Sequence, residues 1–91
     1  MGLKYTTVCL GYQQITSLSN STALTVPAGT TRALIVAESQ GVRWRDDGTA
    51  PTASIGMPLP VLVTLSYDGD LSKIRFIQQA ASAILNVSYY A

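Results

Sequence analysis

The sequence predicts an all-β fold: a compact antiparallel β-sandwich, jelly-roll-like, of seven or eight short strands in a single domain over residues 1–91. Three observations predict it. Turn signals recur at short spacing, at Ser19-Asn20-Ser21, Pro27-Ala28-Gly29, Gln40-Gly41, Asp47-Gly48, Pro51, Pro58 to Pro60 and Asp68-Gly69-Asp70. Between them, side chains alternate with the period of two that puts successive residues on opposite faces of a strand. Those intervals are also rich in β-branched and aromatic residues, which pack well on a pleated surface.

The elements follow in chain order. Residues 1–20 read as an edge strand or an assembly arm. Within them, 5–11 place Tyr5, Thr7 and Cys9 opposite Thr6, Val8 and Leu10. Residues 22–26 align Thr22, Leu24 and Val26. Pro27 is expected at the second position of a turn, with Gly29 supplying positive φ, so that this strand passes to 32–39. Residues 32–39 set Ala33, Ile35 and Ala37 against Leu34 and Val36, the pattern of a central strand covered on both sides. Val42 and Trp44 then oppose Arg43 and Arg45. Thr49 to Pro60 reads as a long connection pinned by prolines. Residues 61–67 align Val61, Val63, Leu65 and Tyr67, and Asp68-Gly69 is a hairpin turn into 71–78. Local propensity over 76–85 favours a helix. The alternation on either side favours a strand, a turn at 80–82 and a last strand over 83–90, with Leu85, Val87 and Tyr89 on one face.

Composition excludes several functions. Charged residues are 12% of the chain, against about 25% in an ordinary soluble domain. So neutral a surface is expected to be covered, in an oligomer or a larger assembly, the alternative being a weakly charged monomer. The net charge is +1 without a basic stripe, which argues against a nucleic-acid partner. Histidine is absent and Cys9 is the lone cysteine, which removes the commonest general base and any internal disulfide. The N-terminus lacks a signal-peptide core, and Gly2 with Thr6 match only part of a myristoylation pattern. The longest apolar stretch, 55–65, is interrupted by Pro58 and Pro60 and is too short to span a bilayer. A soluble protein made in a cytoplasm, with no membrane partner, is expected.

Residues 42–48, VRWRDDG, concentrate the chemistry. Asp46 and Asp47 are adjacent, so on a strand they diverge and do not share a proton. Asp47 with Asp68 or Asp70 is the remaining acid pair, on a fold with little room for a cleft. The acidic turns lack the ligand spacing of a calcium loop. An enzyme is not expected, nor a metal or cofactor. Arg43 and Arg45 are expected to pair with Asp46, Asp47 or Glu38, and Trp44 to anchor the core or a subunit contact. Trp44, Tyr5, Tyr12, Tyr67, Tyr89 and Tyr90 are candidates for a sugar-stacking platform. Of Tyr89 and Tyr90, one must face inward and one outward. Arg43, Trp44, Arg45, Tyr89 and Tyr90 are the candidate interaction residues.

The strings TALTVPAGTTRALIVAESQGVRWRDDGTAPTASIGMPL, LSYDGDLSKIRFIQ and ILNVSYY resemble a group of small structural proteins of tailed bacteriophages, over roughly residues 22–90. The chain departs from that pattern at 60–64, which is apolar where a polar or glycine-containing turn is expected. The resemblance implies a virion component without enzymatic activity. The most concrete form is a capsid decoration (cement) protein, made in the host cytoplasm and located in the virion. It would act as a homo-oligomer, such as a trimer, bound to the major capsid protein or other virion proteins. The alternative is a recognition module for glycans or receptors, or a fibre or tail adaptor; a small enzyme ranks last.

Overall fold

The computed structural model describes residues 7–91. They form eight strands: β1 (Cys9–Ile15), β2 (Thr22–Ala23), β3 (Arg32–Glu38), β4 (Val42–Arg45), β5 (Met57–Leu59), β6 (Thr64–Tyr67), β7 (Arg75–Gln78) and β8 (Ile84–Tyr90). No helix occurs among the described residues, so none is long and apolar enough to cross a membrane. The strands make two antiparallel four-stranded sheets. Sheet I has the order β1-β8-β3-β6 and sheet II the order β2-β7-β4-β5.

The pairings obey one rule. Counted inward from the two ends, β1 pairs with β8, β2 with β7, β3 with β6 and β4 with β5. The chain is a long ribbon doubled back at the β4–β5 hairpin. It is rolled so that β8 also lies on β3 and β7 on β4. Every connection except β4–β5 therefore passes from one sheet to the other.

Alternation explains the core. Ala33, Ile35 and Ala37 of β3 and Leu85, Val87 and Tyr89 of β8 point inward and are buried. They share one cluster with Val42, Leu59 and Phe76 of sheet II and with Leu18, Leu71, Ile74 and Ala83 from connecting segments. The other side of β3 departs from expectation: Leu34 and Val36 are only half-buried. No layer of the described residues covers them, and their neighbours across the sheet are the polar Asn86 and Ser88 of β8 and Thr64 and Ser66 of β6.

Several expected boundaries move for identifiable reasons. The strand expected from residue 61 starts at Thr64. Leu62 takes a φ of 63° and donates its amide to the Ala37 carbonyl at 2.8 Å, while Val61 bridges Ala37 in parallel. The segment thus hooks over the end of β3, and Val61, Leu62 and Val63 stay exposed. Asp68-Gly69 is not a hairpin, because β6 and β7 lie in different sheets. The Asp70 carboxylate accepts from the Ser72 amide (3.0 Å), and the Asp70 carbonyl accepts from the amides of Lys73 and Ile74 (3.0 and 3.2 Å). Gly69 lies against the Tyr67 ring so closely that a Cβ there would overlap it. In the earlier turn Pro27 stands first rather than second. Its carbonyl accepts from the Thr30 amide, and Gly29 has the positive φ (86°) the turn needs. β2 is shorter than expected, yet Leu24 and Val26 still pack on the core. The helical alternative over 76–85 fails: β7 ends at Gln78, Ser82 takes a φ of 74° in the intervening turn, and β8 begins at Ile84. β5 was hidden in the expected 49–60 connection. Among the described residues β1 lies at an edge of sheet I, with a bulge between Cys9 and Gly11. Expectations on Gly2, Lys4, Tyr5 and Thr6, and the first part of an N-terminal arm, lie outside the described residues.

Candidate functional site

The arginine-rich segment forms β4 and the turn after it, and it is braced from within. On β4, Val42 is buried while Arg43, Trp44 and Arg45 are half-buried. Arg43 does not meet a carboxylate. Its guanidinium donates to the carbonyls of Ala53 (3.2 Å) and Gly56 (2.9 Å), tying the 50s loop to the strand. Gly56 permits the approach. Its φ is 140°, and a Cβ there would lie 3.2 Å from Arg43 Cβ, Pro51 Cβ and the Trp44 carbonyl oxygen. Thr52 and Ile55 close the loop by exchanging backbone hydrogen bonds.

Arg45 makes the expected ion pair with Asp47, through Nε and Nη2 to the two carboxylate oxygens. That bond holds the Asp47 carboxyl below its ordinary range and raises the arginine. Asp46 instead accepts a hydrogen bond from the Tyr67 hydroxyl. Burial first, then that bond, pushes the Tyr67 hydroxyl far above the usual phenol value. Trp44 meets Tyr67 edge-on, with ring centroids 5.8 Å apart. It lines an open groove of ≈ 400 Å³ with Arg45, Asp46, Asp47, Ile55, Gly56 and Met57. Ile55 and Met57 are exposed there.

The two C-terminal tyrosines separate as alternation requires. Tyr89 is 1% exposed and donates to Gln13 Oε1, which also accepts from the Thr25 amide. Burial pushes its hydroxyl up to about 12. Tyr89 is thus an anchor of the core rather than a surface contact. Tyr90 lies on the outer face of sheet I, where the Arg32 guanidinium sits 5.1 Å from its ring centroid and the Ser88 hydroxyl donates to its oxygen at 3.1 Å. The structure brings Arg43, Trp44 and Arg45 together on sheet II and puts Tyr89 and Tyr90 in sheet I.

That outer face carries a polar lattice the sequence did not single out. The Tyr12 hydroxyl and Gln14 Nε2 both donate to Asn86 Oδ1, and Asn86 Nδ2 donates to Glu38 Oε1 at 2.8 Å. These residues come from β1, β8 and β3. Alternation alone puts each on a face. Only the register, Gln14 opposite Asn86 opposite Val36, brings them together.

Among the described residues, no three His, Cys, Asp or Glu side chains are placed to hold a metal ion. Three of the aspartates weighed as acid pairs or calcium ligands are hydrogen-bonded within the fold: Asp46 to Tyr67, Asp47 to Arg45 and Asp70 to Ser72.

Six of the eight large exposed apolar side chains among the described residues flank the two edge strands of sheet I, while Ile55 and Met57 line the Trp44 groove of sheet II. Val8, Leu10 and Tyr12 are on or beside β1; Val61, Leu62 and Val63 lead into β6. β1 and β6 are the two edges of sheet I. No family model, curated protein or solved structure matches the chain.

Proposed function

We propose that this chain is a non-enzymatic structural protein of a tailed-phage virion, a capsid decoration (cement) protein with jelly-roll topology. The strand orders β1-β8-β3-β6 and β2-β7-β4-β5 support the topology, since they are what a doubled ribbon of eight strands gives when rolled into two Greek keys. The observation that carries the function is the pair of uncharged, apolar margins on sheet I. A cement protein gains free energy by burying surface between neighbours. Neutral margins serve that role because no ion has to be stripped of water. The chemistry-bearing side chains of the arginine-rich segment support the same reading, because they brace their own loop. The partners are the major capsid protein or other virion proteins, and the place of action is the virion.

Cosedimentation with assembled capsids and with free coat protein tests this. The expected result is binding to the assembled shell alone, together with a higher temperature of shell disruption. Absence of binding to the shell overturns the proposal.

A second reading, recognition of glycans or receptors or adaptation of a fibre or tail, is favoured by one observation. The Tyr12, Gln14, Asn86 and Glu38 lattice offers an aromatic ring beside amide and carboxylate groups on an open face. Specific glycan binding that is lost in Tyr12→Ala would select it over cement.

A further inference from the structure

We infer that the two margins of sheet I are complementary halves of one interface between copies of this chain. β1 of one copy lies beside β6 and Val61–Val63 of the next, and repetition of this contact closes a ring. The inference rests on the assembly reading above and names the surfaces it uses.

The first argument is charge. No charged residue occurs between Lys4 and Arg32, or between Asp47 and Asp68. The first stretch contains β1 and the second contains β5, Val61–Val63 and β6. Among the described residues all charges fall on central strands or on the turns between these stretches. A free strand edge is normally protected from pairing by charge, proline, a bulge or shortness. Sheet II uses two of these devices: β2 has only 2 residues, and β5 has 3 with Pro58 in the middle. In sheet I, β1 has 7 residues and no charge, and its one bulge lies at its start. β6 has no charge and no proline, and is preceded by Leu62 at 78% exposure. Among the described residues both margins are uncharged, so bringing them together strips no ion of water and sets no like charges against each other.

The second argument is direction. β1 pairs only with β8, and β6 only with β3, so each has one side without a strand neighbour among the described residues. Four strands alternating in direction leave β1 and β6 antiparallel to one another. A second copy in the same orientation therefore continues the ladder in purely antiparallel sense, the more stable pairing. A two-fold dimer through either margin would leave the other margin open on both copies. A head-to-tail contact covers both, and such contacts close into rings when the rotation per step allows.

Light scattering coupled to size-exclusion chromatography, under reducing conditions because Cys9 is exposed, tests this on the full chain. The wild type is expected at one mass of three or more 9.7 kDa protomers. Val8→Lys with Tyr12→Lys breaks one margin, and Leu62→Lys with Val63→Lys breaks the other. All four positions are exposed, so both variants are expected to fold, as circular dichroism would verify. Each variant alone is expected as a monomer. An equimolar mixture is expected to form a 1:1 dimer, because each variant keeps the margin the other needs. A monomeric wild type overturns the inference, as does a dimer that survives in either variant. Binding to assembled shells, measured on the same samples, separates the two proposals. Shell binding by a monomeric wild type overturns the ring alone, and a ring that ignores shells overturns the cement function alone.

Discussion

Sheets I and II have equal numbers of strands and share one core, yet they treat their boundaries in opposite ways. Sheet II protects its edges. Its edge strands are short or carry proline, its hairpin is tied by Arg43 to two carbonyls, and its exposed ion pair is internal. Sheet I has a long neutral edge strand on one side, exposed Val61–Val63 beside the other, and a hydrogen-bonded polar face between them. The difference teaches that conspicuous chemistry and available surface are separate properties. The segment richest in Arg, Trp and Asp spends its functional groups on its own loop, whereas the unremarkable neutral stretches are left unfilled.

The largest expected effect tests whether the sheets are one unit. Phe76→Ala in sheet II removes a fully buried ring and should cost about 3–5 kcal/mol. Val87→Ala in sheet I should destabilise by less, because it deletes fewer buried atoms. Both should still unfold in a single transition in urea. Two separated transitions in either variant would show that the sheets do not share a cooperative core.

Next is the self-bracing of sheet II. Gly56→Ala adds a Cβ against Trp44 and Pro51 at a φ other residues avoid, and should cost about 1–3 kcal/mol in thermal unfolding. An unchanged melting temperature would mean the loop is not tied to β4. Tyr67→Phe removes the bond from sheet I to Asp46 at the start of the hairpin turn, and should cost about 1 kcal/mol. Double-mutant cycles with Asp46→Asn should show that the two effects do not add.

The smallest effects concern titration. Asp47 and Asp70 are both held below 3.8, chiefly by bonds from Arg45 and Ser72 respectively. A depressed carboxyl stabilises the fold above its unfolded value and loses that contribution as pH falls through the folded one. Stability should therefore decline slightly below pH 3.8, and Asp70→Asn should flatten the decline. At the other end, Tyr89 is raised to about 12 from 10.0, so its contribution is complete below pH 10.0 and fades as pH rises towards 12. Absorbance titration of the phenols should show a fraction that ionises only as the protein unfolds.

How much was legible follows from these particulars. β3 and β8 read clearly, because one strict alternation, ending in Tyr89 inward and Tyr90 outward, decides every position. The stretch 61–63 misled because its apolar residues continue the same alternation into β6. A backbone kink at Leu62, held by the Ala37 carbonyl, is a tertiary effect with no local signal. β5 was invisible since a strand of 3 residues containing Pro58 looks like a turn. Asp68-Gly69 has hairpin chemistry, but which sheet each flanking strand joins is decided far away in the chain. In the candidate site, Arg45 found one of its expected partners. Arg43 found carbonyls, whose positions depend on a loop closing over it.

The ribbon rule has a consequence for synthesis. β8 lies between β1 and β3 in sheet I but comes last of the eight in chain order. As the polypeptide emerges, β1 and β3 therefore wait as unzipped neighbours of a strand not yet made. Assembly of that layer is a late, all-at-once insertion, expected on the millisecond-to-second scale of distant pairings. A nascent chain stalled before residue 84 should be open to proteases, and then become resistant abruptly once the final strand slots in.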